Sequence, residues 1–315
     1  MMAAAMEPVL KVASVPPFLT KLSLQGLERR QLDELLREYR ITVDAMPESS
    51  VQSARFRVVP VDVPPEVRSL ELARAEDAAL SLASTGDLVC RALRKGGAAH
   101  RTVAGLFAIA MSRCMAAEGI AKIHAAAFKL GGSMIMACGP HGSGKSTLSV
   151  AASAAGAKVI SDDSVLYGEA DGRDALVGFR RRLSLRAGSL GLIPQELREG
   201  LRRVEHPGET RWLRSLDEHD PWGSVPQALW CLSIDIDARS STVGAVDGAS
   251  ALAELYRATP FLFLFSSDRF QRERDRLVPV LVRLVSHCRT FRVRLGRDLL
   301  DEPAAAVNRL AEKGG

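Results

Sequence analysis

The chain has 315 residues, about two domains at roughly 150 residues each, and can bury a core without covalent staples. Hydrophobic residues make up 47% and charged residues 25%, which excludes disordered and low-complexity classes for the bulk of the chain. With 42 basic against 37 acidic residues the net charge is +5, too little by itself to mark a nucleic-acid binder. Five cysteines, at 90, 114, 138, 231 and 288, form no CxxC pair. That pattern argues against a disulfide framework or a zinc site and fits a reducing compartment. The start, MMAAAMEPVLKV, lacks a basic segment before its apolar run, and Glu7 and Pro8 interrupt that run. No stretch reaches the roughly 20 apolar residues that span a bilayer. The expectation is a cytoplasmic protein with neither a membrane nor a nucleic acid as partner.

In chain order, Leu32, Leu35, Leu36 and Tyr39 have the i, i+3, i+4, i+7 spacing of an amphipathic helix. Residues 54–63 read as an edge strand, because Pro60 removes a ladder donor, and Pro64-Pro65 marks a turn. Residues 69–94 mix apolar and charged positions and predict a helix and a short strand. The region 1–98 reads as a small α+β accessory domain, with Lys95-Gly96-Gly97 as linker and 99–315 as the second domain. A broadly apolar helix is expected over about 100–118. Residues 123–128 and 133–138 then form a hairpin around Gly131-Gly132. A helix over 148–155 ends at Gly156, and strand 158–161 follows. Further strands are expected at 165–168, 176–179, 229–236, 261–265 and 291–295. Together they predict an α/β fold whose second domain is built on a mostly parallel sheet, with 133–138 and 158–161 as a parallel βαβ pair.

Between that hairpin and that helix lies Gly139-Pro140-His141-Gly142-Ser143-Gly144-Lys145-Ser146, the pattern G-x-x-x-x-G-K-[ST], followed by Thr147. Its glycines let the backbone curl so that successive N–H groups point inward at phosphate oxygens, and a helix beginning near Gly144 adds its positive end. Lys145 can reach the β- and γ-phosphates, and the Ser146 hydroxyl can ligate Mg²⁺. An apolar strand before it and a helix after it are the context that a nucleotide-binding P-loop requires. ATP and Mg²⁺ are therefore the expected cofactors.

Such a loop needs a carboxylate to orient the metal or the nucleophile, and two places supply one. Asp162-Asp163 follow the strand into which the loop's helix leads. Asp235 and Asp237 follow an apolar strand that looks more like an ordinary Walker B run. Turn formation competes with function in both places.

The stretch from His124 to Val165 resembles the catalytic domain of HPr kinase/phosphorylase and its smaller bacterial relatives. The match lies in Ile123-His124-Ala125, the P-loop, Gly156 and Ser161-Asp162-Asp163-Ser164-Val165. His124 precedes Lys145 by 21 residues, and Asp163 follows it by 18. The resemblance implies a P-loop protein-serine kinase. It makes Asp163 the base on the acceptor serine and puts His124 in the active site. Asp162 is then the alternative base or a ligand to the metal through water. Thr147 stands where the regulatory enzymes carry Glu, and residues 185–215 lack their glycine-rich segment with its metal-ligating Glu. Both departures point away from HPr as acceptor and from the reverse reaction. Relatives of this layout include kinases that modify a serine on a biosynthetic peptide, such as those of lasso-peptide gene clusters. The expected partner is thus a protein or precursor peptide, with a homo-oligomer left open. A small-molecule kinase and a nucleotide-gated switch without an acceptor remain the rival readings.

Residues 173–214 hold ten Arg against five acids. They form either a phosphate-steering or acidic-peptide surface beside the loop, with Arg182 or Arg186 as an internal arginine finger, or ordinary solvated helix and loop faces. His206, His219 and Asp220 lie in a segment that is a lid or a plain loop. Residues 268–276 alternate in sign, as on an exposed helix face.

Overall fold

The computed structural model describes residues 9–14, 16, 18, 21–25, 27–47, 54–60, 70–74, 78–82, 88–92, 97–180, 182–186, 190, 198, 201–206, 209–216, 225–264 and 268–314. The chain divides into two compact units, Met1–Glu118 and Gly119–Gly315. Among the described residues no helix is long and apolar enough to cross a membrane.

The first unit is a mixed sheet with two helices. Its strands are β1 (Val9–Ser14), β2 (Lys21–Gln25), β3 (Thr42–Pro47), β4 (Ala54–Pro60), β5 (Leu70–Arg74), β6 (Ala78–Leu82) and β7 (Leu88–Ala92), in the order β3-β1-β2-β4-β7-β6-β5. Helix α1 (Arg29–Glu38) bears out the amphipathic spacing. Leu35 and Tyr39 are buried, and the Tyr39 ring meets Phe107 at 6.0 Å. Phe107 belongs to α2 (Gly97–Ala117) and also packs edge-on against Phe56 of β4 at 5.6 Å. Two expectations need correction here. Strand β4 is interior, with parallel neighbours β2 and β7. Pro60 is tolerated because it is the strand's last residue, where a missing N–H interrupts no further rung. The segment 69–94 contains no helix among its described residues. It forms β5, β6 and β7, and buried Ala78, Leu80 and Leu82 show the short apolar run of a covered strand. Helix α2, placed by the sequence at the head of the second domain, packs with α1, β6 and β7 and belongs to the first unit. The turn expected at Pro64-Pro65 and the Lys95-Gly96 part of the linker lie outside the described residues.

The second unit is built on a six-stranded sheet. Strands β8 (Ala121–Ile123), β9 (Ala125–Leu130) and β10 (Ser133–Cys138) open it. Gly131 and Gly132, at φ 57° and 91°, make the tight turn between β9 and β10. After α3 (Lys145–Ala154) come β11 (Lys158–Ser161), β12 (Val165–Ala170), β13 (Arg173–Gly178), β14 (Arg182–Arg186), β15 (Arg202–His206), β16 (Glu209–Ser215), β17 (Ala228–Ile234) and β18 (Thr242–Ala245). Helices α4 (Gly248–Arg257), α5 (Pro260–Leu264) and α6 (Gln271–His287), strand β19 (Arg289–Leu295) and helices α7 (Asp298–Asp301) and α8 (Pro303–Gly314) complete it.

The large sheet runs β11-β9-β10-β17-β19-β18. Only the pairs β10·β17 and β17·β19 are parallel, so the mostly parallel sheet is corrected to a mixed one. Nor are β10 and β11 paired. Strand β9 lies between them, antiparallel to both, because the hairpin claims the edge that a βαβ crossover would have filled. Two three-stranded antiparallel sheets, β13-β12-β8 and β14-β16-β15, accompany it.

One core joins the face of the large sheet to α3 and α8 through Phe128, Trp230, Leu148, Val293 and Val307. The buried Trp230 indole donates to the Gly314 carbonyl at 2.6 Å, so its polar edge is satisfied. Residues 261–265 were expected as a strand, but 260–264 are helical. Pro260 sits at the first helical position, where its fixed φ favours a helix.

Candidate functional site

Strand β10 is apolar and buried, and it delivers the chain into the glycine-rich loop at the sheet's C-terminal edge. The loop is shaped by what its glycines lack. A Cβ on Gly139 would lie 2.7 Å from the Leu232 carbonyl oxygen. Gly144 caps α3 at φ 89°, and a Cβ there would lie 2.7 Å from Leu295 Cδ1. The left-handed backbone and the close neighbour both require glycine at 144. Pro140 and His141 are exposed, while Gly139 and Ser143 are buried. Ser146 and Thr147, in the first turn of α3, are partly exposed. Lys145 is only 6% exposed, and its ammonium donates to the Gly139 carbonyl at 2.7 Å and the Pro140 carbonyl at 2.9 Å. The cation is therefore anchored on the loop's own carbonyls. Burial lowers its pKa, opposed by the negative charge of Asp163.

The acidic cluster is assembled by register. Val165 of β12 pairs with Gly178 of β13 and with Ile123 of β8. Continuing each ladder by a residue or two brings Asp163 beside Arg180 and His124. The Arg180 Nε lies 3.3 Å from Asp163 Oδ2. The His124 Nδ1 lies 3.3 Å from Asp163 Oδ1 and 2.9 Å from the Asp163 carbonyl oxygen. Ser161 shapes the turn: its hydroxyl accepts the Ser164 N–H at 3.1 Å and donates to the Ser164 carbonyl at 2.9 Å. A serine does the work for which the aspartates were alternative candidates, so both carboxylates are available for other contacts.

The two neighbours differ sharply in electrostatics. Asp162 is 2% exposed. Its Oδ2 accepts the Ser184 N–H at 3.0 Å, while Oδ1 is buried without a hydrogen-bond partner. Burial pushes its carboxyl up to about 7, against the pull of the Ser184 N–H. Asp163 is partly exposed. Burial pushes its carboxyl up as well, but the His124 hydrogen bond and the Arg180 and Lys122 charges outweigh it. They hold Asp163 well below the usual carboxylate range. Lys122, whose ammonium stands 5.4 Å over the Phe179 ring, is pushed down to about 8, chiefly by burial and further by Arg180.

Asp235 and Asp237 do not join this cluster. Strand β17 is the parallel neighbour of β10, so Asp235 stands beside the loop by topology. Its carboxylate, however, accepts the N–H groups of Asp237 and Ala238 at 3.2 Å and lies 3.6 Å from Arg294. It forms its own turn. Sequence reasoning missed Arg180, Lys122 and the Ser184 amide. Arg180 was within the arginine-rich run, but Arg182 and Arg186, which lie at the two ends of β14, stood out instead. Where it is described, that run forms mainly strands β13 to β16, with Arg198 on an exposed helical position. His219 and Asp220 lie outside the described residues; His206 ends β15.

A cleft of about 350 Å³ opens on the other side of Gly139 and Pro140, walled by Ser233, Glu254, Arg257 and Arg292. Ala258 at its rim accepts the His124 N–H at 2.6 Å, which ties the cleft to the acidic cluster. Arg257 and Glu254 pair at 2.8 Å. Among the described residues no group of three or more His, Cys, Asp and Glu side chains could hold a metal ion. Compared with models of known protein families the chain matches none, and no curated protein sequence matches it.

Proposed function

We propose that residues 119–315 form a P-loop kinase that transfers the γ-phosphate of ATP to a serine hydroxyl of a protein or biosynthetic peptide. One observation carries this reading: a glycine-cradled, pre-anchored Lys145 and the His124–Asp163–Arg180 cluster stand at the same edge of one unit. Phosphoryl transfer asks for little covalent chemistry from the protein and much positioning and charge stabilisation. Backbone N–H groups within 141–147 take the phosphates, and Lys145 neutralises the charge that grows on the transferred group. Ser146 and Asp162 supply hard oxygen donors that suit Mg²⁺, and the orphaned Oδ1 of Asp162 is what a metal-bound water would satisfy. When bound, the metal neutralises phosphate charge.

Asp163 is the residue for the acceptor, because Asp162 is fixed to Ser184 and almost fully buried. Its depressed pKa makes it a weak base at rest. Drawing Arg180 towards a phosphoryl group removes one of the cations that depress it. Asp163 then accepts the serine hydroxyl proton more readily as the serine O–P bond forms and the bond from the γ-phosphorus to the departing ADP breaks. His124 keeps the carboxylate oriented.

The experiment is direct. Purified protein with ATP, Mg²⁺ and a precursor peptide encoded beside its gene should add one phosphate to a serine, seen by mass spectrometry. Transfer only to free hydroxyl-bearing metabolites would favour the small-molecule kinase. The cleft beside Pro140 supports that second reading, since its volume falls in the range of small-molecule sites. Nucleotide-dependent association without transfer would favour a switch.

A further inference from the structure

The segment 235–241 stands at the C-terminal ends of β17 and β19. By strand order it flanks the glycine-rich loop on the side opposite Asp162 and Asp163. It is firmly stitched in place. Asp235 N–H donates to the Leu295 carbonyl at 2.9 Å, Arg297 N–H to the Ala238 carbonyl at 2.9 Å and Asp298 N–H to the Arg239 carbonyl at 3.1 Å. The Asp298 carboxylate takes both the Ser241 N–H at 2.8 Å and its hydroxyl at 2.6 Å. Gly296 lies so close that a Cβ there would sit 2.6 Å from the Ser240 carbonyl carbon.

On this fixed scaffold two isoleucines face water. Ile236 is 70% exposed, the most of any large hydrophobic residue among those described, and Ile234 is 51% exposed. Their apolar area has an unfavourable hydration free energy that a ligand can relieve. The edge also begins where the loop ends. Ile234 Cδ1 lies 3.9 Å from the position of a Cβ on Gly144, the residue that caps α3, and Leu295 closes the other side. The neighbouring carboxylate of Asp235 is already occupied by its own turn, so it does not repel an apolar face.

We infer that Ile234 and Ile236 form the platform for the purine base of a nucleotide whose phosphates lie on Gly139–Ser146. This rests on the phosphate-loop reading above and adds the feature that separates a nucleotide from a bare polyphosphate. A purine is flat, is apolar on its faces and is anchored through the ribose to the phosphates. An apolar shelf beside the loop gains most from such a group.

The test compares ATP with inorganic tripolyphosphate, each with Mg²⁺, by titration calorimetry on the full chain. ATP should bind the wild-type protein more tightly than tripolyphosphate does. Ile236→Ser should weaken ATP about three- to tenfold and leave tripolyphosphate unchanged, whereas Ile236→Leu should keep wild-type affinity for both. Ile234→Ser should act in the same direction. Equal affinities of ATP and tripolyphosphate in the wild type would overturn the platform, as would Ser variants with unchanged ATP binding. Equal losses for both ligands in Ile236→Ser would do the same, because the residue would then act through the loop. If neither ligand binds the wild-type protein, the phosphate-loop reading itself fails and the platform falls with it.

Discussion

Two acid-bearing turns flank the same glycine-rich loop, and they have opposite characters. Asp235 follows β17, the direct parallel neighbour of the loop's strand, yet its carboxylate is closed into an exposed turn. Asp162 and Asp163 follow β11, a strand removed by one, yet one is buried with an orphaned oxygen and the other is held by His124 and Arg180. Adjacency in the sheet therefore does not decide which acid is left open to other contacts. What matters is whether something else makes the turn. Ser161 does so in one case, and Asp235 itself in the other.

The largest expected effect tests whether the comparison has a centre. Lys145→Ala should lower phosphoryl transfer by at least about 10²-fold, as loss of a pre-organised cation does. It should also weaken ATP binding, measured by γ-phosphate transfer or release and by calorimetry. Wild-type turnover in this variant would remove the loop from the chemistry. Asp163→Asn should lower kcat about 10²–10⁴-fold with nearly unchanged ATP affinity, while Asp235→Asn should stay within about twofold of wild type. The reverse ranking would make the β17 turn the true partner of the loop and would remove the roles drawn from the HPr kinase resemblance.

A smaller effect concerns pH. The Asp162 carboxyl, near 4 when unfolded, is pushed up to about 7 by burial. The folded state then binds the extra proton between those values, so this group's contribution to stability falls as pH rises from about 4 to about 7 and is flat above. Asp162→Asn abolishes that titration. In urea titrations the variant should gain on the wild type between pH 5 and pH 8, and a constant difference would mean that Asp162 ionises like a solvated acid. The smallest effect belongs to the other turn. Asp235→Ala removes two hydrogen bonds at an exposed site and should cost about 0.5–1.5 kcal/mol in the same titrations, with no change in rate.

The glycine-rich loop was legible because its demands are local. A left-handed Gly144 and a strand-to-helix context can be read from a dozen residues. Asp162 and Asp163 could be named, but their precedence over Asp235 came from a resemblance, since both pairs fit a turn. Arg180 was not legible. It meets Asp163 only because β12 and β13 pair with Val165 opposite Gly178, and a shift of one residue would have brought a different side chain to it. The mixed order of the large sheet was hidden for a similar reason. A hairpin and a crossover can both follow β10, and the sequence does not say which takes its edge. The run 261–265 was ambiguous by length, and Pro260 was the signal against a strand.

The strand inserted between β10 and β11 has one further consequence. Neighbouring strands lie about 4.8 Å apart, so the strand feeding Lys145 and the strand feeding Asp163 are separated by about 9–10 Å rather than half that. At a single spacing the ammonium and the carboxylate would close into a contact ion pair. At a double spacing Asp163 still attracts the Lys145 ammonium but across a gap, and on the proposed kinase reading that gap receives the phosphoryl group and the attacking hydroxyl. Strand β9, whose last paired residue at that edge is Ala125, acts as a spacer that sets the distance between the two strands.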